Sequence, residues 1–339
     1  MSAAATESFL LPPEVHNARG EVRRAGFEFE FTGVSLNLAA MAVRKVFGGE
    51  HLVRSTFVHR VRHTAVGDFD VEMDTTVLKD KTYEKPLRAM GFDPRRRDAK
   101  WLEAALLGAF ATVVPAEVGT PPLRVTELAP LDELRRRLHG LGAKGTRASA
   151  LYAFGLHINP EIVSDDPAYL LSVMRAFVLL QPWLKGRAEV DLTRRVMPYI
   201  NPFPASYARL ILAPDYPATL ARLIDDYLAY NPTRNRPLDM VPVLAHVDPN
   251  RVARRVEERH LVKPRPAFHY RLPNCMVDEP AWTVAREWNT WVAVERLAAD
   301  GARLGEMARD YLRADEASWA PFVEKWPGVL EAYMAGAPA

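Results

Sequence analysis

Between Ala25 and Gly33 the chain alternates aromatic and acidic side chains as Phe27, Glu28, Phe29, Glu30 and Phe31. A period of two belongs to a β-strand, whose successive side chains point to opposite faces. One face of this strand is then aromatic and the other anionic, so the strand has two unlike faces and both glutamates share one of them. A helix would mix the two sets. Two carboxylates two positions apart on one face repel and raise one another's pKa unless a cation compensates them, and a divalent ion bound through oxygen would do so. A polar outer face on an edge strand accounts for the pair equally well on local grounds.

The segments that follow predict partners for this strand. Residues 37 to 47 return to helical spacing and stop at Gly48 and Gly49. Ser55 to Thr64 and Gly67 to Thr75 alternate again around a short break, which predicts a hairpin, with Asp68, Asp70, Glu72 and Asp74 on one face of its second strand. A further strand is expected from Ala111 to Gly119, closed by Pro121 and Pro122, then a helix over Leu131 to Leu141 and a strand over Tyr152 to Asn159. The second half reads mainly as helix, over Ala168 to Leu184, Ser206 to Leu228, Pro249 to His260, Pro280 to Ala299 and Gly301 to Arg313. A strand from Ala267 to Leu272 interrupts it, and no repeat of fixed period is present.

Residues 1 to 20 carry small and polar residues with Pro12, Pro13 and Gly20 and no sustained periodicity, which predicts a mobile leader before one elaborated domain over 21 to 339. The 44 Lys and Arg against 42 Asp and Glu leave no excess of positive charge to drive nucleic-acid binding. The local clusters at Arg95 to Arg97, Arg135 to Arg137 and Arg251, Arg254 and Arg255 have acidic neighbours, as solvated helix faces do. Cys275 is the only cysteine, so neither an intrachain disulfide nor a cysteine-rich zinc site can form, and a reducing compartment is expected. Phe9, Leu10 and Leu11 are stopped at once by two prolines, unlike a signal peptide. The most apolar run, Ala104 to Val114, is about half the length that crosses a bilayer. A cytoplasmic protein with no membrane or nucleic-acid partner is the resulting expectation.

Three further constellations could carry chemistry. In Phe154-Gly155-Leu156-His157-Ile158-Asn159, alternation puts His157 and Asn159 on one face, and Gly155 would let a ligand approach the backbone. A lone strand histidine is more often a satisfied core residue. Glu117 ends an apolar strand before the Pro121-Pro122 turn, and His269 and Arg271 share one face of the late strand, suited either to anionic oxygens or to a structural salt bridge. All of them place charged or imidazole groups on one face of a strand whose other face is apolar, so a single sheet could gather them.

The order Gly-x-Glu-x-Glu at residues 26 to 30, Glu117 followed by proline, Gly155-Leu156-His157-x-Asn159 and the late Tyr270-Arg271-Leu272 strand resembles the amidoligase family. That family is related to glutamate-cysteine ligase and glutamine synthetase, and the likeness spans roughly residues 24 to 275. It implies an α+β, glutamine-synthetase-like fold, a curved and mostly antiparallel sheet with helices packed on one face. It also implies a ligase that uses ATP and Mg2+ to join a small-molecule or peptide carboxylate to an amine through an acyl phosphate. By the same resemblance Glu28, Glu30 and Glu117 are the metal carboxylates, His157 is a further metal ligand and a catalytic group near the phosphates, Arg271 is the catalytic arginine that meets the transferred phosphoryl group, and Arg234 or Arg236, His269 and Asn159 complete the nucleotide site.

Two departures from the family pattern stand out. Asn159 replaces a second histidine, and His269 stands where the late strand commonly carries a glutamate, a change that removes a metal carboxylate which Asp70 or Glu72 would have to replace. A non-catalytic nucleotide- or peptide-binding protein on the same scaffold is the alternative. A zinc hydrolase fits less well, because carboxylate-rich sites with few imidazoles suit magnesium better. Substrate residues are expected in the helical half, with Trp183, Tyr199, Asn201, Tyr207 and Asn231 as candidates.

Overall fold

The aromatic-acidic alternation forms β1, Arg24–Phe31, in which Phe27, Phe29 and Phe31 are fully buried and the glutamates between them are not. The computed structural model describes residues 7–73, 115–148, 154–187, 202–256 and 262–316, together with 326, 327, 330 and 333. The readings at Asp74 and Thr75, Arg95 to Arg97, the run from Ala104 to Val114, Tyr152, Tyr199, Asn201 and His260 lie outside those residues.

Helix α1, Leu36–Phe47, follows with Ser35 as its N-cap and stops at Gly48, whose φ of 75° suits glycine. The predicted hairpin is β3, Val58–Thr64, and β4, Gly67–Met73. Ahead of it lies β2, Glu50–Ser55, which the sequence did not signal. Nearly every residue of β2 is exposed, so this strand has no apolar face to leave a period of two. The expected strand at 111 to 119 is described as β5, Ala116–Gly119, and β6, Leu123–Arg124, pairs with the start of β1. Helix α2, Pro130–Gly140, leads to β7, Leu156–Pro160.

The second half supplies α3, Pro167–Arg187, α4, Ala205–Leu212, and α5, Leu220–Tyr230. The sequence predicts one helix from 206 to 228, but Pro214 and Pro217 break it and Thr219 caps the new start by accepting from the Arg222 N–H. Strand β8, Leu238–Asp239, helices α6, Val241–Val247, and α7, Pro249–Ala253, and strand β9, His269–Tyr270, come next. Helices α8, Val284–Ala299, and α9, Gly301–Glu316, close the described chain. None of the described helices is long and apolar enough to cross a membrane.

Every strand pairing is antiparallel, and the nine described strands form one open sheet in the order β2-β3-β4-β5-β1-β7-β9-β8, with β6 on β1. The fold is therefore mixed α and β on a large antiparallel sheet, as expected. Helices cover its apolar face. Phe47 of α1 lies 4.7 Å from Phe69, Trp288 of α8 lies 6.1 Å from Phe27, and Phe177 of α3 meets Tyr270 edge-on at 5.8 Å.

Residues 7–20 make main-chain hydrogen bonds to the rest of the chain. The backbone of Leu10 donates to Asn289 and accepts from the Trp288 indole, and the Glu14 carbonyl accepts from Arg23. Arg23 in turn forms a buried two-pronged pair with Glu295, at 2.7 and 2.8 Å. Pro12 and Pro13 exclude a helix here, but main-chain groups tied to α8 and β1 hold an irregular segment in place.

Candidate functional site

The face of the sheet opposite the buried aromatics gathers the acids and imidazoles. In an antiparallel pair, residues directly across from one another point to the same side. Glu28 lies opposite His157 on β7 and opposite Gly119 on β5, while Glu30 lies opposite Glu117, which in turn lies opposite Glu72 on β4. Three carboxylates from three strands thus form a row, Glu72, Glu117, Glu30. Gly119 lies between Asp70 and Glu28 in the register and places no side chain there.

The two glutamates of β1 are held differently. Glu30 accepts from the Gly155 backbone N–H at 2.7 Å, and its other oxygen lies 3.6 Å from His157 Nε2. Gly155 was expected to admit a ligand to the backbone, and its described role is to anchor this carboxylate. Glu28 accepts from His157 Nδ1 at 2.8 Å and from the Asn159 amide at 3.0 Å, and Arg265 donates to the amide oxygen of Asn159 at 2.7 Å. Burial opposes the charge on Glu28, but the hydrogen bond from His157 and the nearby His157, His269 and Arg265 outweigh it and hold the carboxyl well below the usual carboxylate range.

Behind this pair lies a buried layer that the sequence reading only half anticipated. His269 of β9 packs edge-on to His157, ring centroids 5.2 Å apart, and its Nδ1 lies 3.4 Å from the fully buried Asp239. Burial lowers the His269 imidazole to about 4 against the opposing pull of Asp239 and Glu28. Asp239 is also gripped by Arg234 at 3.1 Å, and Arg271 donates to the Arg234 carbonyl at 3.1 Å. Burial works against the Asp239 charge, yet His269, Arg234 and Arg271 keep its carboxyl below the ordinary value.

Of the residues predicted from sequence, the structure brings Glu28, Glu30, Glu117, His157, Asn159, His269, Arg234 and Arg271 to this face or its edge. Arg236 lies elsewhere, its guanidinium bonded to Asn231 at 2.8 Å and set 6.0 Å over the Phe203 ring. Tyr207 and Asn231 are buried in the helical half, and Trp183 lines a separate cavity of about 550 Å³ with Leu10 and Met307. Of the two stand-ins for the lost carboxylate, Asp70 is half-exposed and paired with Arg60 at 2.6 Å, whereas Glu72 belongs to the carboxylate row. Sequence reasoning missed Asp239 and Arg265. Asp239 sits in a two-residue strand too short to show a period, and Arg265 in a loop between prolines.

The arrangement can bind cations through its carboxylate row and anions through the Arg234 and Arg271 edge. It offers no thiolate, since Cys275 is fully buried and burial, with Glu30 nearby, pushes its thiol far above the ordinary range. A family described as putative amidoligase enzyme matches the chain over residues 21–293, well over half of its 339 residues. No curated protein matches it.

Proposed function

The chain belongs to that amidoligase family, and from this premise we propose that it is an ATP- and Mg2+-dependent ligase that joins a carboxylate to an amine. The observation that carries the reading is the convergence of Glu28 and Glu30 from β1, Glu117 from β5 and His157 from β7 on one face. Like charges set directly across a ladder destabilise it, so the Glu30 and Glu117 pair is the kind of arrangement a bound cation relieves. An oxygen-only row suits a hard ion, and Glu30 and Glu117, joined by Glu28, are the residues that would hold magnesium.

ATP with its magnesium supplies the phosphoryl group that turns a substrate carboxylate into an acyl phosphate, which an amine can attack. The chain's own groups do the positioning. Arg271 and Arg234 would offset the charge of the transferred phosphoryl group, and His157, fixed by Glu28, would stand near the metal and phosphates. No covalent intermediate on the protein is required. The same reading takes the sheet as one of the glutamine-synthetase type and places the protein in the cytoplasm, which suits a chain with one buried cysteine.

A screen for phosphate release from ATP across pairs of amino acids, peptides and amines tests the proposal, with the product identified by mass. Release that requires both an acid and an amine is expected. Absence of release with every pair, or hydrolysis that ignores the amine, would overturn it. His269 in place of a metal carboxylate favours one second reading, a non-catalytic nucleotide- or peptide-binding protein. Thermal stabilisation by ATP without turnover, with or without magnesium, would mark that case.

A further inference from the structure

His269 presents a donor atom with nothing to meet it. The residue is 6% exposed, Asp239 takes up its Nδ1, and among the described residues its Nε2 makes no hydrogen bond. Among the described residues Glu28 Oε2 lies 3.9 Å from it, beyond hydrogen-bond reach. With the proton on Nδ1, a lone pair on Nε2 faces a carboxylate oxygen across that gap, and two acceptors so placed call for a positive centre between them. His157 stands on the third side, and one donor atom from each of Glu28, His157 and His269 falls within 4.8 Å of the other two. A carboxylate on the far nitrogen of a ligating histidine is the usual outer support of a transition-metal site, and Asp239 supplies it here.

We propose that Glu28, His157 and His269 form a site for a first-row transition ion of the zinc, cobalt or ferrous kind, preferred there over magnesium. Two imidazoles and one carboxylate are borderline donors, which such ions favour and magnesium does not. Zinc makes bonds of roughly 2.0–2.2 Å to nitrogen and oxygen, so binding would require the three side chains to close in and His157 to give up its hydrogen bond to Glu28. The ligase reading gives Glu28 to magnesium as well, so this proposal rests on the same carboxylate, changes the ion it holds and adds His269 to the ligands. Glu30 and Glu117 would hold the hard ion beside it, with Glu28 standing between the two sites.

The test uses full-length protein stripped with a chelator and titrated separately with Zn2+, Co2+ and Mg2+, with no ATP, acid or amine present. Tight Zn2+ binding at one equivalent, visible d–d bands with Co2+, and two paramagnetically shifted imidazole signals in the Co2+ protein are expected. His269→Ala should weaken Zn2+ binding at least tenfold, and Asp239→Asn, which removes the carboxylate behind His269 and also the charge partner of Arg234, about tenfold to a hundredfold. Circular dichroism in chelator checks that both variants fold, and the shifted signals of the unaltered protein decide the matter if either does not. Mg2+ binding as tight as Zn2+ binding, a Co2+ spectrum without imidazole signals, or unchanged Zn2+ affinity in folded His269→Ala would overturn the proposal. Zinc binding by a protein that fails the phosphate-release screen would sink only the ligase reading, and magnesium-driven turnover in that screen without zinc binding would sink only this one.

Discussion

The Glu30 carboxylate is fixed by the backbone of Gly155, whose N–H reaches it at 2.7 Å across the β1–β7 pairing. That bond separates the structural use of Glu30 from its chemical use. Glu30→Gln keeps an acceptor for the Gly155 N–H but loses the charge, so the variant should fold with nearly unchanged thermal stability while phosphate release from ATP falls by about a hundredfold or more. Glu30→Ala also loses turnover but strands the N–H, at a cost of about 1–3 kcal/mol. Denaturant titration and phosphate assays on the two variants check this, and full turnover in Glu30→Gln would remove Glu30 from the metal set.

Glu295 binds Arg23 through both oxygens and also accepts from the Trp291 indole at 2.6 Å, all inside the interface between the N-terminal segment, β1 and α8. Removing one member of a buried pair leaves the other charge uncompensated. Glu295→Ala should therefore lower stability by about 3–5 kcal/mol in denaturant titration. Arg23 also donates to the Glu14 and Glu161 carbonyls, so residues 7–20 should become accessible to proteases in the same variant. A loss under about 1 kcal/mol would mean that solvent screens the pair as it does at a surface.

These two cases mark what the sequence could reveal. Phe27, Glu28, Phe29, Glu30 and Phe31 were legible because one strand with a dry face and a wet face imposes a period of two. His157 and Asn159 followed by the same rule on β7. Asp239, Arg265 and the Arg23–Glu295 pair were not legible, because their partners lie distant in sequence or their strands span two residues. Strand β2 escaped because it buries nothing, and the break between α4 and α5 was carried by Pro214 and Pro217, which an apolar period alone does not weigh.

Acid should destabilise the chelated protein before ordinary carboxylates titrate. Folding lowers the His269 imidazole to about 4 from an ordinary 6.5, so across that window the unfolded chain binds the proton and the folded one does not. Stability is then complete above about pH 6.5 and falls as the pH drops toward 4, by about 3 kcal/mol at most. Glu28, lowered in the folded state, adds a loss with the same sign below its ordinary 4.5. Melting temperatures across this range check the prediction. His269→Gln should flatten the upper part of the slope without abolishing it, since burial also lowers His51 and His59. A variant with an unaltered slope would show that His269 contributes nothing to it.

Cys275 should report on the integrity of the site. Its thiol is fully buried and held protonated, and its backbone N–H donates to Phe154 beside the Gly155 that anchors Glu30. In the native state a disulfide reagent should react only as fast as this region opens, while in denaturant it should react at once. Gly145 supplies a control from the other side of the same segment. A Cβ at Gly145 would overlap the Cys275 carbonyl and approach Val277, and the Gly145 N–H already donates to Asp278 at 3.0 Å. Gly145→Ala must therefore displace the Cys275 backbone, and it should both lower the melting temperature and speed labelling. Labelling rates measured against urea concentration distinguish local from global opening. Immediate reaction of the unaltered native protein would contradict the packing that brings the Cys275 segment against Phe154 and Gly155.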